Sequence, residues 1–129
     1  MASSIIHICV AKEINKVLKI KETNNYFLGS IAPDISKLVG DPRSKSHFYD
    51  ENGKTNIDKF LKKYKDKLNN PFILGYFIHL YTDLIWEKYF LNNIVEGNYI
   101  KKIDGTKVEN TNEMYKKLIY NDYTNLNIG

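Results

Sequence analysis

His79 and Asp83 stand four residues apart inside an apolar run from Phe72 to Leu91. On a helix that spacing sets both side chains on one face, a turn apart, where they can grip one divalent ion. An aspartate in the middle of a buried helix needs a partner, because unpaired it is costly or takes up a proton. A metal ion supplies that countercharge. So does a structural contact with His79 or with a lysine from a neighbouring helix, and the pair by itself does not choose. The chain has three histidines, and none falls on a plainly polar surface. His47, between Ser46 and Phe48-Tyr49 in a loop, reads alone as a surface histidine. Asp34, flanked by Ile31-Ala32-Pro33 and Ile35, reads alone as a turn residue or helix cap. His7 reads alone as a core histidine with its ring N–H on a backbone carbonyl. Together, imidazole nitrogens and carboxylate oxygens are the donor set of hydrolytic zinc sites, which keep an open position for water. His47, His79, Asp83 and Asp34 are therefore the candidate ligands of a divalent metal on a helical scaffold. Zinc is the first choice, and iron or manganese is compatible with the same donors.

No other catalytic grouping competes. Cys9 lies only two residues from His7 on the same helix, so their side chains diverge and form no nucleophile–base pair. The sequence holds no phosphate loop, no dinucleotide fingerprint and no His-Asp dipeptide.

The elements that must position these residues are helices. The first is expected from about Ser4 to Leu18, capped by Ser3 or Ser4. His7, Ala11, Ile14 and Leu18 share one face, widened by Val10 and Val17, so His7 points inward. Asn24-Asn25 opens a short helical turn through Leu28 that Gly29 closes, and Pro33 ends whatever precedes it, leaving Asp34 in a loop. Residues 40–53 are polar and irregular. A third helix spans about Ile57 to Leu68 on the stripe Ile57, Phe60, Leu61, Tyr64 and Leu68. Asn70 caps a fourth, with Pro71 at its first position, running to about Asn92. It is apolar nearly all round, which makes it the central helix. Asp104-Gly105 signals a small hairpin over 99–108. Asn110, with Glu113 three residues on, caps a last helix whose inner face is Met114, Tyr115, Leu118 and Ile119. The fold class is all-α: a single domain of about five helices around a central buried one.

Composition narrows the function classes. With 129 residues the chain is one domain. Lys+Arg of 19 against Asp+Glu of 15 gives a formal +4, a mild excess in which Arg43 is the sole arginine. Nucleic-acid readers lean on arginine for bidentate contacts, so no nucleic-acid partner is expected and the lysines read as a solvated surface. A single cysteine excludes an internal disulfide, and Cys9, in an apolar run, is expected as a small core residue. The N-terminus lacks the basic flank of a signal peptide. The charges inside residues 72–91 argue against a membrane span. The chain reads as cytoplasmic.

His7 in a first helix, Gly29-Ser30-Ile31-Ala32-Pro33-Asp34, Ser46-His47-Phe48 and Gly75-Tyr76-Phe77-Ile78-His79-Leu80-Tyr81-Thr82-Asp83 follow one another in order. This succession resembles the zinc-dependent phospholipase C family, in particular its short cytoplasmic bacterial members, over Ile5 to about Phe90. The resemblance implies an all-helical fold of the phospholipase C/P1 nuclease type, and zinc-activated water that attacks a phosphodiester. It implies a first metal site of Asp34, His47, His79 and Asp83, and a second formed in part by His7 with a bridging Asp83. It also implies that Asp34 takes a proton from the attacking water. The sequence departs from the family in two places. Secreted members use a processed N-terminal Trp as a ligand, where Met1 or Ala2 stands here. They also carry a further His-x-x-x-Glu pair, whereas no histidine follows His79. Either the C-terminal part of the family fold is missing or the site is reduced to one or two ions. Asp122 is a substitute ligand in principle, but reads better as a surface carboxylate.

The expected function is a metal-dependent hydrolase of a small phosphoester or lipid-like substrate. Trp86, Tyr76, Tyr81 and Phe48 serve either as an apolar wall of its site or as ordinary core. The alternative is a non-catalytic interaction or structural domain with a reduced or lapsed metal site. A third reading, a polyanion or membrane-surface binder using the lysine faces, predicts binding that collapses with salt. A homo-oligomer is compatible with a last helix that finds little to pack on.

Overall fold

Ser3 sits in extended backbone and its side chain accepts the Ile6 N–H, which starts α1 at Ser4–Leu18. Lys19, in the left-handed region, ends it by donating its N–H to the Asn15 carbonyl. The chain is seen here in a computed structural model that describes residues 2–91, 95–96, 99–101 and 104–109. On α1, His7 and Ala11 are buried as the stripe predicts. Val17 instead is 80% exposed, because ten residues on from His7 it has rotated about 80° off the buried axis. Cys9 is exposed rather than in the core. Two residues beyond His7 it faces almost directly away from it.

α2 runs unbroken over Thr23–Ile35 and corrects the expected short turn. Gly29 lies inside the helix, and so does Pro33. Two residues from the end of α2, the proline removes only the bond its missing N–H would have made to the Gly29 carbonyl. Asp34 is therefore in the last helical turn, not in a loop. Gly29 is required by contact rather than by termination. A Cβ there would sit 2.9 Å from the Phe72 carbonyl carbon and closer still to its oxygen. Gly75 returns the contact, since its Cβ would meet the Ser30 nitrogen at 2.9 Å and crowd the Tyr26 carbonyl.

A tight turn over Ser36–Val39 leads to α3, the single turn Arg43–Ser46, capped at its C-terminus by His47. Asn56 then caps α4 at Ile57–Tyr64, which closes in a narrower 3-10 turn over Lys65–Lys67. α5 spans Pro71–Trp86, with the Asn70 side chain accepting from Phe72 and Ile73, and continues as a wider π turn over Glu87–Leu91. It is the central helix: α2, α1 and α4 all pack on it. Ala11, Tyr26 and Ile78 form the core where three helices meet, and the Tyr26 hydroxyl donates to the Ala11 carbonyl at 2.7 Å.

Three short antiparallel strands follow: β1 at Val95–Glu96, β2 at Tyr99–Lys101 and β3 at Lys107–Glu109, with Ile100 opposite Val108. The expected hairpin is the β2–β3 pair, turned at Asp104 and at Gly105 with φ +87°. The last helix expected from Asn110, and Asp122 within it, lie outside the described residues. No described helix is long and apolar enough to cross a membrane.

Gly75→Ala is expected to lower the unfolding free energy by about 3 kcal/mol or more, because backbone cannot move aside as a side chain can. Lys62→Ala, on the exposed face of α4, should stay within about 0.5 kcal/mol. Urea denaturation of both variants checks the contrast.

Candidate metal centre

Four elements converge on one buried spot. α5 supplies His79 and Asp83, one and two turns beyond Gly75. α2 supplies Asp34, one turn beyond Ser30. The C-cap of α3 supplies His47, and α1 brings His7. The His7 and His79 rings stack at 3.6 Å between centroids. All three histidine side chains are at most 1% exposed, against 8% for Asp83 and 17% for Asp34. Solvent thus reaches the group mainly on the Asp34 side.

Neighbouring groups fix which ring nitrogen carries a proton. His79 Nδ1 lies 2.6 Å from the Ser30 carbonyl oxygen, which can only accept, so Nδ1 is protonated and Nε2 presents its lone pair inward when the ring is neutral. The Ser46 hydroxyl donates to the Arg43 carbonyl at 3.2 Å, so toward His47 Nδ1, 2.9 Å away, it accepts. His47 Nε2, 3.1 Å from Asp34 Oδ1, then presents its lone pair inward when no proton is shared with that carboxylate. Donation of the second ring nitrogen to a protein oxygen is what orients metal-ligating histidines.

Four inward atoms result: His47 Nε2, His79 Nε2, Asp34 Oδ1 and Asp83 Oδ2. From His47 Nε2 the distances are 3.1 Å to Asp34, 3.4 Å to His79 and 3.6 Å to Asp83. From His79 Nε2 they are 3.5 Å to Asp34 and 3.3 Å to Asp83. Tetrahedral zinc with bonds of about 2.0–2.1 Å needs its ligand atoms about 3.3–3.4 Å apart. Five of the six spacings among these donors lie near that value.

Further donor atoms adjoin these four. His7 Nε2 stands 3.1 Å from Asp83 Oδ1, which also accepts the Ala2 N–H at 3.0 Å. Yet neither nitrogen of the His7 ring makes a hydrogen bond, because the approach to Asp83 is misdirected for one, and Asp83 Oδ2 is likewise unsatisfied. Orphaned buried polar atoms cost about 1–3 kcal/mol each. A cation between His7 Nε2 and Asp83 would remove part of that cost and leave the Nδ1 proton without an acceptor. His7, His79 and Asp83 form one candidate triple and Asp34, His47 and His79 another.

The electrostatics agree with this crowding. Burial alone would raise the Asp34 and Asp83 carboxyls, but histidine contacts outweigh it and hold both far below the usual carboxylate range. Burial would likewise lower His79, yet the Asp34 and Asp83 carboxylates beside its Nε2 lift it to about 9. Burial wins at His7, which is lowered, with the stacked His79 adding repulsion. A proton on His79 Nε2 would therefore stand where a metal would be.

The chain around the centre was less visible in the sequence. The Tyr76 hydroxyl donates to the Ser46 carbonyl and ties the His47 turn to α5. Phe48, at φ +53°, holds a left-handed backbone that costs about 1–3 kcal/mol. Its ring packs edge-on against Phe60 and Tyr76. Phe48 and Tyr76 also line a cavity of about 370 Å³ together with Lys45, Lys63 and Tyr64. Tyr81 lines a separate apolar cavity of about 440 Å³ between α1 and α5. None of the five clustered residues lines either cavity. The sequence offered no sign that Ser30, Ser46 and Tyr49 attend the centre, beyond the adjacency of Ser46 to His47.

Fold and centre define a helical protein with a buried histidine–aspartate group able to hold a divalent ion. The sequence model of the family described as zinc dependent phospholipase C matches residues 6–125, and the chain belongs to that family. Comparison with curated proteins and with solved structures finds no match.

The His79 shift gives a pH test. With its folded pKa raised, His79 contributes stability that is complete below pH 6.5 and is lost as pH rises through about 9. The depressed carboxylates contribute in the other direction, losing theirs in acid. Zinc must displace the His79 proton, so its binding strengthens over the same rise. Between pH 6.5 and 9 the melting temperature of the chelated protein should fall while the increment given by added zinc grows. Parallel curves would place the proton elsewhere.

Proposed function

We propose that Asp34, His47, His79 and Asp83 hold a zinc ion, that His7 with the second oxygen of Asp83 forms part of a second position, and that the centre hydrolyses a phosphoester bond in a phospholipid or smaller phosphodiester. The observation that supports this most is the set of five donor spacings of 3.1–3.6 Å among side chains from three elements. Bound zinc lowers the pKa of its water to about 7 and stabilises charge on phosphoryl oxygens. The chain's residues prepare the rest. Ser30 and Ser46 hold the two imidazoles in the ligating tautomer. Asp34, the most exposed of the five, meets water entering the centre and stays ionised. Asp34 acts here by accepting a hydrogen bond from that water and orienting it.

One observation favours a second reading. Four protein donors complete a tetrahedron, and closed four-coordinate sites are structural, whereas catalytic ones leave a position open. In the hydrolytic reading the ion takes water or substrate as a fifth ligand on the Asp34 side, where the cluster is most exposed.

Elemental analysis of the purified chain is expected to find near-stoichiometric zinc that dialysis against a chelator removes. Turnover of bis-p-nitrophenyl phosphate or of phosphatidylcholine vesicles should vanish with it and return on adding zinc. His79→Ala should lose the metal and about a hundredfold or more of activity. His7→Ala should keep the four-donor ion. Zinc held without turnover on either substrate would identify the closed structural site, and equal metal in wild type and His79→Ala would rule out the ligand set.

A further inference from the structure

Arg43 is the chain's sole arginine, and it stands at the open side of the centre. Its Nη1 is 3.6 Å from Asp34 Oδ1, the oxygen that also faces His47 Nε2 and His79 Nε2. The Arg43 side chain is 36% exposed and Asp34 17%, so a molecule approaching the cluster past Asp34 passes the guanidinium. That group is not loose. Its Nε donates to the Tyr49 hydroxyl at 2.8 Å, and the Tyr49 ring lies against His47, 5.8 Å between centroids. Tyr49 is held in turn: it bridges to Thr55, and its carbonyl accepts from Lys59 Nζ.

A simple ion pair does not account for this arrangement. Arginine whose task is to neutralise a carboxylate pairs with it in a fork of two short bonds. Here the contact with Asp34 is single and longer than a hydrogen bond. The Nε edge is spent on a neutral hydroxyl. The paired Nη groups keep donors for an acceptor that the described residues do not supply. A planar, permanently charged fork beside a metal-ligand set fits a phosphoryl oxyanion.

We propose that Arg43 binds the phosphoryl oxygens of the substrate at this centre, with Tyr49 as the positioning residue that aims its guanidinium. The proposal rests on the phosphoester reading above and names the group that recognises the anion.

Inorganic phosphate is the probe, titrated calorimetrically into the full chain with and without added zinc, with zinc content measured on every sample. Arg43→Gln should weaken phosphate binding about tenfold to a hundredfold, the worth of a lost charge-assisted bond, at unchanged zinc content. Arg43→Lys should restore part of it. Tyr49→Phe, which leaves the charge in place, should weaken it several-fold. A short-chain phosphatidylcholine that displaces phosphate assigns the subsite to lipid headgroups, and failure to displace it assigns the subsite to free phosphate. Both keep the oxyanion site. Phosphate affinity within twofold of wild type in Arg43→Gln overturns the proposal. So does a loss of zinc in step with phosphate, which would make Arg43 a prop for Asp34. A wild-type chain without zinc instead removes the metal reading. Arg43 then stands or falls on whether phosphate binding to the metal-free chain depends on it.

Discussion

The closeness of α2 and α5 governs the rest of the molecule. Gly29 faces Phe72 backbone and Gly75 faces Tyr26 and Ser30 backbone, with no room for a Cβ at either glycine. Steps of four residues run along both helices from there. Gly75, His79 and Asp83 form one row on α5, and Tyr26, Ser30 and Asp34 form its counterpart on α2. Because the helices touch backbone to backbone, the Ser30 carbonyl reaches the His79 ring directly at 2.6 Å. One turn further along, the Asp34 carboxylate reaches the other nitrogen of that ring at 3.5 Å. A wider crossing would lengthen both contacts at once. The glycine pair thus serves the centre as much as the core, and no alanine could replace it at the cost of mere propensity.

The same register makes the centre electrostatically unfinished. Two carboxylates and three imidazoles share a volume from which water is nearly excluded. Burial opposes charge on each group, while the neighbours of Asp34, Asp83 and His79 demand it. A single proton on His79 relieves part of the conflict but leaves the His7 ring without a hydrogen bond. A divalent cation relieves more of it, because it satisfies both carboxylates and needs the histidines neutral. Proton and metal are therefore rivals for one place, which is why stability and metal affinity should move in opposite directions with pH.

Much of the scaffold could be read from periodicity and caps. Ser3 and Asn70 begin helices as expected, and Asn56 caps α4 in the same way. The stripe on α4 buries Phe60 and half-buries its neighbours. The errors on α2 have one cause. Gly29 and Pro33 carry the local chemistry of helix ends, and only a partner helix distant in sequence turns Gly29 into a contact. With that correction Asp34 moves from a loop to a rigid final turn. Val17 and Cys9 fail differently: each lies next to an apolar stripe in sequence but off its axis in rotation. The five candidate site residues come together, although singly each had a plainer reading. Arg43 and Tyr49 could not be found by spacing, because the turn through the left-handed Phe48 brings them together.

Asp83 is where closure and openness of the centre meet. Its Oδ2 faces His47 and His79, while its Oδ1 faces His7 and the Ala2 N–H. One carboxylate thus borders two positions that differ in completeness: the first has four converging donors, the second only an edge. A carboxylate so divided cannot shift toward either position without slackening its hold on the other. Its place two turns from Gly75 on the most packed helix resists such a shift. The rigidity that lets the inner position close on an ion therefore also keeps the His7 edge incomplete.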